Sequence, residues 1–197
     1  CIRRFVDTNS GFRASLSPER KAVVIGDSVS DAAIFAPLEG AQKEAHAVTE
    51  ILESGSEPFE VTSIVQGSCA GITNAILTTS SRVMHIAAHG VFEMPRTAPD
   101  GTKDTVTGIV LGDGAYFTAA EVGQIRPFPE LVFLNCCHLG NMAQVTDAGA
   151  KAWNERHRLA SNLALQFILT GAKAVVAAGW AVNDNVAVVF AQEFYAH

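Results

Sequence analysis

The sequence is short of cysteine, proline, basic charge and long apolar runs, and each shortage excludes a class of protein. Its four Cys, two of them adjacent at Cys136-Cys137, do not make the disulfide framework of a small secreted domain. Reduced thiols in a cytoplasmic setting are the expectation. The longest uncharged apolar stretch, Ala174 to Val182, falls far short of the roughly 20 residues that a membrane-spanning helix needs, so no membrane partner is expected. With 14 Lys and Arg against 20 Asp and Glu, the net charge is −6. Phosphate binding needs clustered positive charge, so no nucleic-acid partner is expected either, and the acidic surplus suits a basic partner. With only 7 Pro, 48% hydrophobic and 17% charged residues, the chain is neither disordered nor collagen-like.

The chain opens with Cys1 and Arg3-Arg4, without an initiator Met or an apolar signal region, and reads as part of a longer protein. At about 100–200 residues per domain, 197 residues allow one substantial domain. Residues 1–20 are polar and aperiodic and read as a linker or the tail of a preceding segment; residues 21–197 read as the domain.

From Lys21 the pattern becomes α/β. Ala-Val-Val-Ile ended by Gly26 has the profile of a parallel strand covered on both faces. Ala41, Ala45, Val48, Ile51 and Leu52 follow at helical spacing, with charged residues between them. Phe59 to Val65 predicts a second strand, Ala70 to Thr78 a helix, and Val83 to Ala87 a third strand that delivers His89-Gly90 at its end. Residues 91–107, polar and with two Pro, read as a mobile loop flanking a cleft, ordered by substrate or cut on activation. The turn Gly112-Asp-Gly114 between apolar runs predicts a small hairpin insertion, and Thr118 with Glu121 a capping box. Leu131 to Asn135 forms a fourth strand leading to Cys136, Cys137 and His138, and residues 138–156 a second polar loop beside the cleft. A helix through Leu159, Leu163, Phe167 and Ile168 stops at Gly171, Ala174 to Ala178 is a fifth strand, and a last helix starts near Asp184. Alternating strands and helices imply a mostly parallel central sheet with helices on both faces and ligands beyond the carboxyl ends of the strands.

Those ends carry the chemistry. His89 and Cys137, 48 positions apart, lie at the ends of the third and fourth strands. A thiol is a nucleophile as thiolate, and a nearby imidazole can take its proton and later protonate a leaving amine. The amides of Gly90 and Cys137 are candidates for an oxyanion hole. Neighbouring residues of a strand point to opposite sides, so only one of Cys136 and Cys137 faces His89. His85 lies roughly 13 Å from His89 along the strand, too far to share a metal, and reads as structural. A zinc site from His89, Cys136, Cys137 and His138 lacks the usual spacer between ligands; no metal is expected. Cys1 and Cys69 read as bystanders.

Three ordered blocks carry a resemblance: His85-Ile-Ala-Ala-His89-Gly90, Leu131-Val-Phe-Leu-Asn-Cys-Cys137-His-Leu-Gly140, and Gly171-Ala-Lys-Ala-Val-Val-Ala-Ala-Gly-Trp180-Ala-Val-Asn-Asp184. With Pro37-Leu-Glu-Gly-Ala-Gln-Lys-Glu44-Ala and Phe117-Thr-Ala-Ala-Glu121-Val, the span from Lys21 to Tyr195 resembles CHAT domains, caspase-like cysteine peptidases related to separase. The resemblance implies a three-layer caspase-like fold and cysteine endopeptidase activity without a cofactor, acting on protein or peptide substrates under the control of repeat or sensor modules of the same chain. It places the nucleophile at Cys137, since in the family that Cys ends a Leu-Ser-Ala-Cys block; here Asn135 and Cys136 stand in place of Ser-Ala. It also places at Asp184 the acidic residue that lines the pocket for a basic side chain before the cleaved bond. A carboxylate there would favour Arg. Against this, Asn183 or Asp184 could simply cap the last helix.

Two other functions compete. Val23-Val-Ile-Gly26-Asp27-Ser28 looks like the nucleophile block of GDSL esterases and lipases, but no Asp is followed three positions later by the His such enzymes need. A caspase-like domain can also persist as a catalytically silent adaptor or scaffold.

Overall fold

A computed structural model describes residues 17–30, 32–97, 101–138, 148–178 and 183–197. The side chains of residues 137, 138 and 148–157 lie outside that description. The elements in order are β1 (Lys21–Ser28), α1 (Glu39–Ser54), β2 (Glu60–Gly67), α2 (Cys69–Thr78), β3 (Val83–Thr97), β4 (Lys103–Gly112), β5 (Ala115–Phe117), α3 (Ala119–Val122), β6 (Leu131–His138), α4 (Ala148–Thr170), β7 (Ala174–Ala177) and α5 (Asp184–Ala196).

Five strands form a parallel sheet in the order β2-β1-β3-β6-β7, and β4 and β5 continue antiparallel from the far half of β3, giving seven strands in all. The period of two along each central strand decides which side chains meet which helices. Val23, Ile25, Met84, Ile86, Val132 and Leu134 pack against α2, α3 and α4, with Phe128 and Phe167 the largest fully buried side chains there. The alternate residues Ala22, Val24, Val83 and Phe133 pack against Ala45, Val48 and Leu52 of α1 and Ala191 of α5. Each Val, Leu, Ile, Met or Phe side chain removed from water here contributes about 1.5–3 kcal/mol. The result is a three-layer α/β domain. No helix among the described residues is long and apolar enough to cross a membrane.

Several predicted elements appear with the expected chemistry. At the β4–β5 turn Gly112, Asp113 and Gly114 all have positive φ, the backbone a tight reversal needs and the reason for the two glycines. At α3, Glu121 Oε2 accepts from the Thr118 amide at 2.7 Å and Thr118 Oγ1 accepts from the Ala120 amide at 3.2 Å.

Three expectations need correction. Residues 91–107 are not a loop: β3 runs on to Thr97 and pairs with β4, closing a ribbon. The ribbon is exposed in its outer half, so its sequence is polar, and Arg96 holds Asp104 across it at 2.7 and 2.9 Å. Of residues 138–156, His138 ends β6 and residues 148–156 are the first turns of α4; the remainder lie outside the described residues. β1 does not end at Gly26, because Ser28 still pairs with Gly67 of β2.

Candidate active site

The site is built where β3 changes partners. Up to His89 it pairs with β6; from Gly90 it pairs with β4. His89 therefore stands at the rim of the parallel sheet, as ligand sites of such sheets do, and is 3% exposed. The segment leaving β1 folds over it. Ala36 O lies 2.6 Å from His89 Nε2, and the Phe35 ring tilts against the imidazole with centroids 5.3 Å apart. A carbonyl oxygen can only accept, so Nε2 carries the hydrogen. In the neutral ring, Nδ1 is then the basic nitrogen.

β6 reaches the same rim with an irregularity. Ala87 pairs with Asn135, but His89 pairs with His138, so Ala88 faces both Cys136 and Cys137. This is a β-bulge, a device that re-aims side chains beside functional sites, and it means that simple strand alternation does not carry through the cysteine pair. Cys136 is accounted for directly: it is buried in the core beneath α4, with Sγ 3.9 Å from Ile86 O. Cys137 occupies the next position on β6.

Gly90 is required by packing. A Cβ at this position would lie 2.4 Å from Leu159 Cδ2 and 2.5 Å from the Cys136 carbonyl oxygen. The lack of a side chain thus lets β3 and β6 close around the bulge. Asp184 is exposed at the start of α5 and does not cap it; Asn183 does, its side chain accepting from the Asn185 amide at 3.0 Å. The Asp184 carboxylate lies over the first turn of α1, where a Cβ on Gly40 would be 2.7 Å from Oδ2. Trp180 of the third block lies outside the described residues.

Ser28 is not placed as an esterase nucleophile would be. It is 5% exposed and its hydroxyl donates to Val110 O at 3.0 Å, which joins β1 to β4. Asp27 beside it is equally buried and has φ 69°. Its Oδ1 accepts from the Ser28 amide at 2.8 Å, and its Oδ2 from the Leu38 amide at 2.9 Å and Gln42 Nε2 at 3.1 Å. Sequence patterns singled out neither Asp27 nor Ala36 for the His89 surroundings; the one available signal was Pro37, which stiffens the chain after Ala36. Cys69, at the first turn of α2, is half-buried beside Thr73.

Fold and site geometry together define a caspase-like three-layer α/β domain with an imidazole and a cysteine pair on adjacent parallel strands. A family model for the CHAT domain matches residues 5–197, and the chain belongs to the CHAT domain family, a caspase-like, peptidase-type family. No curated protein matches the chain.

Proposed function

We propose that the chain is a cysteine endopeptidase that uses Cys137 as nucleophile and His89 as general base and acid. The observation that supports this most is the pinned imidazole: Ala36 O holds Nε2–H, so Nδ1 is the basic nitrogen of a neutral ring at the rim where β6 delivers the cysteine pair. The burial of Cys136 in the core supports assigning the role to Cys137.

In the first step His89 Nδ1 takes the Cys137 proton and the sulfur attacks the peptide carbonyl carbon. The C–O π electrons move onto oxygen, and the amides of Gly90 and Cys137 stabilise the oxyanion. As the carbonyl re-forms, the C–N bond breaks, the imidazolium proton goes to the departing amine and a thioester remains. Water then attacks the thioester, giving its proton to His89; the C–S bond breaks, the acid product leaves and the thiol is restored. No metal or organic cofactor takes part. Asp184, exposed and not used as a cap, selects a basic residue before the cleaved bond, with Arg preferred for its bidentate geometry. Other modules of a longer protein regulate the cleavage.

A peptide-library cleavage profile, run beside Cys137→Ala and Ser28→Ala, tests the reading. Cys137→Ala should lower kcat/KM by about three orders of magnitude or more and abolish labelling by an acyloxymethyl ketone; Ser28→Ala should do neither. Absence of turnover by the folded wild-type chain would favour the adaptor, and the reverse mutant pattern the esterase.

A further inference from the structure

Two residues beyond Ala36, the Leu38 amide is held by the carboxylate of Asp27. Asp27 is 1% exposed and sits in the left-handed region at φ 69°, a conformation that non-glycine residues keep only where their surroundings demand it. That geometry turns the carboxylate from the end of β1 toward the start of α1. There Oδ2 receives the Leu38 amide at 2.9 Å, although Leu38 is the N-cap of α1 and has no side-chain cap of its own. Only Pro37 separates Leu38 from Ala36, and a proline fixes its own φ near −65° while restricting the residue before it to extended backbone. A held Leu38 amide therefore narrows the directions open to the Ala36 carbonyl, since Pro37 ψ is the one soft torsion between them. On the other side Phe35 is buried against Val91, Val106 and Val110 of the β3–β4 ribbon, so Ala36 is clamped at both ends.

We infer that Asp27 is a positioning residue for His89, acting through the Leu38 amide and the Ala36 carbonyl to hold the imidazole as its Nε2–H tautomer. The role rests on the peptidase reading for its purpose but not for its test. The effect of the carboxylate reaches the imidazole through a main-chain relay.

Long-range proton–nitrogen NMR of the His89 ring, recorded on the full chain, reads the tautomer without turnover. Wild type should show Nε2–H alone. Asp27→Asn, nearly isosteric, puts an amide where a double acceptor is required and should give a mixture containing Nδ1–H. It should also lower kcat on a cleaved peptide by about 10–100-fold with KM little changed, the range seen when partners that orient functional histidines are altered. Gln42→Ala removes another donor to the same oxygen while sparing the Leu38 bond, and should leave the tautomer and kcat as in wild type. If folded Asp27→Asn keeps Nε2–H alone, the inference is overturned. If Asp27→Asn does not fold, Pro37→Gly at an exposed position loosens the same relay, and a retained single tautomer there overturns it equally. A tautomer change in a chain that cleaves no peptide supports the positioning role and rejects the peptidase reading alone.

Discussion

His85 and His89 lie on one strand, four positions apart, yet they are held in opposite ways. His85 is fully buried, in contact with side chains of α1, α5 and β6. Its Nε2 lies 3.2 Å from Glu44 Oε1, close but not aligned as a hydrogen bond, its Nδ1 is 3.3 Å from the Tyr195 hydroxyl, and its ring stacks on Phe133 at 4.7 Å. Burial, and then the negative charge of Glu44, push the Tyr195 hydroxyl well above the ordinary tyrosine value, so it remains a donor. Glu44 in turn accepts from Asn135 Nδ2 at 2.7 Å, which ties α1 to β3 and β6 just before the bulge. His89 has left that core. One of its nitrogens is bound to a main-chain carbonyl in the segment after β1. A histidine between a carboxylate and a phenol is a structural fastener; one oriented by a neutral carbonyl at a sheet rim is suited to move a proton.

Exchanging the roles is the strongest way to break this contrast. His89→Ala should lower kcat/KM by about three orders of magnitude and change unfolding free energy by less than about 1–2 kcal/mol. His85→Ala should reverse the order of damage and destabilise by about 3–5 kcal/mol, because it removes a fully buried ring packed on Phe133 and Tyr195 and leaves a cavity. Urea melts and peptide kinetics on both variants decide it; equal losses of stability would erase the distinction.

The carboxylates offer a finer test of the same contrast, since Glu44 is buried 1% exposed while Asp184 is exposed. Asp184→Ala should lower cleavage after Arg by about 10–100-fold, the loss of one charge-assisted pair, with melting little changed. A native preference for Asp before the cleaved bond would remove Asp184 from the pocket. The smallest effect lies at the opposite end of the sheet. Burial raises the Glu130 carboxyl, but bonding to Lys173 and the Arg82 charge outweigh it and leave the net value lowered. Its stabilisation is therefore present above the unfolded carboxylate value of about 4.3 and is lost as pH falls through the folded value. Glu130→Gln should cost under about 1 kcal/mol at neutral pH and flatten the acid limb of the stability profile.

Much of the architecture was legible because burial imposes periodicity. The 3.6-residue stripe of α1, the apolar runs of the central strands and the Asp-Gly turn each follow from what a helix, a doubly covered strand or a reversal must contain. The β3–β4 ribbon was not legible, since an outer half solvated on both faces shows no apolar alternation. Its length was the neglected signal: structureless loops that long are uncommon in a compact domain. At the site, the pairing of the His and Cys strands followed from the α/β pattern, but the burial of Cys136 in the core did not. Alternation assumes a regular ladder, and the bulge lies at those two residues.

By itself the sequence determined the order of strands and helices, the absence of a membrane-length apolar run and the delivery of His89 and the cysteine pair to strand ends, because these are local matters of spacing and composition. Only the tertiary structure decided that His85 sits between Glu44 and Tyr195, that Ser28 bonds β4, and that Asp27 reaches the start of α1 while Ala36 holds His89. Those outcomes join residues distant along the chain, and they depend on which faces the parallel sheet brings together. Hydrogen bonding at a buried rim is satisfied by whatever main chain arrives there, and no local pattern announces a carbonyl.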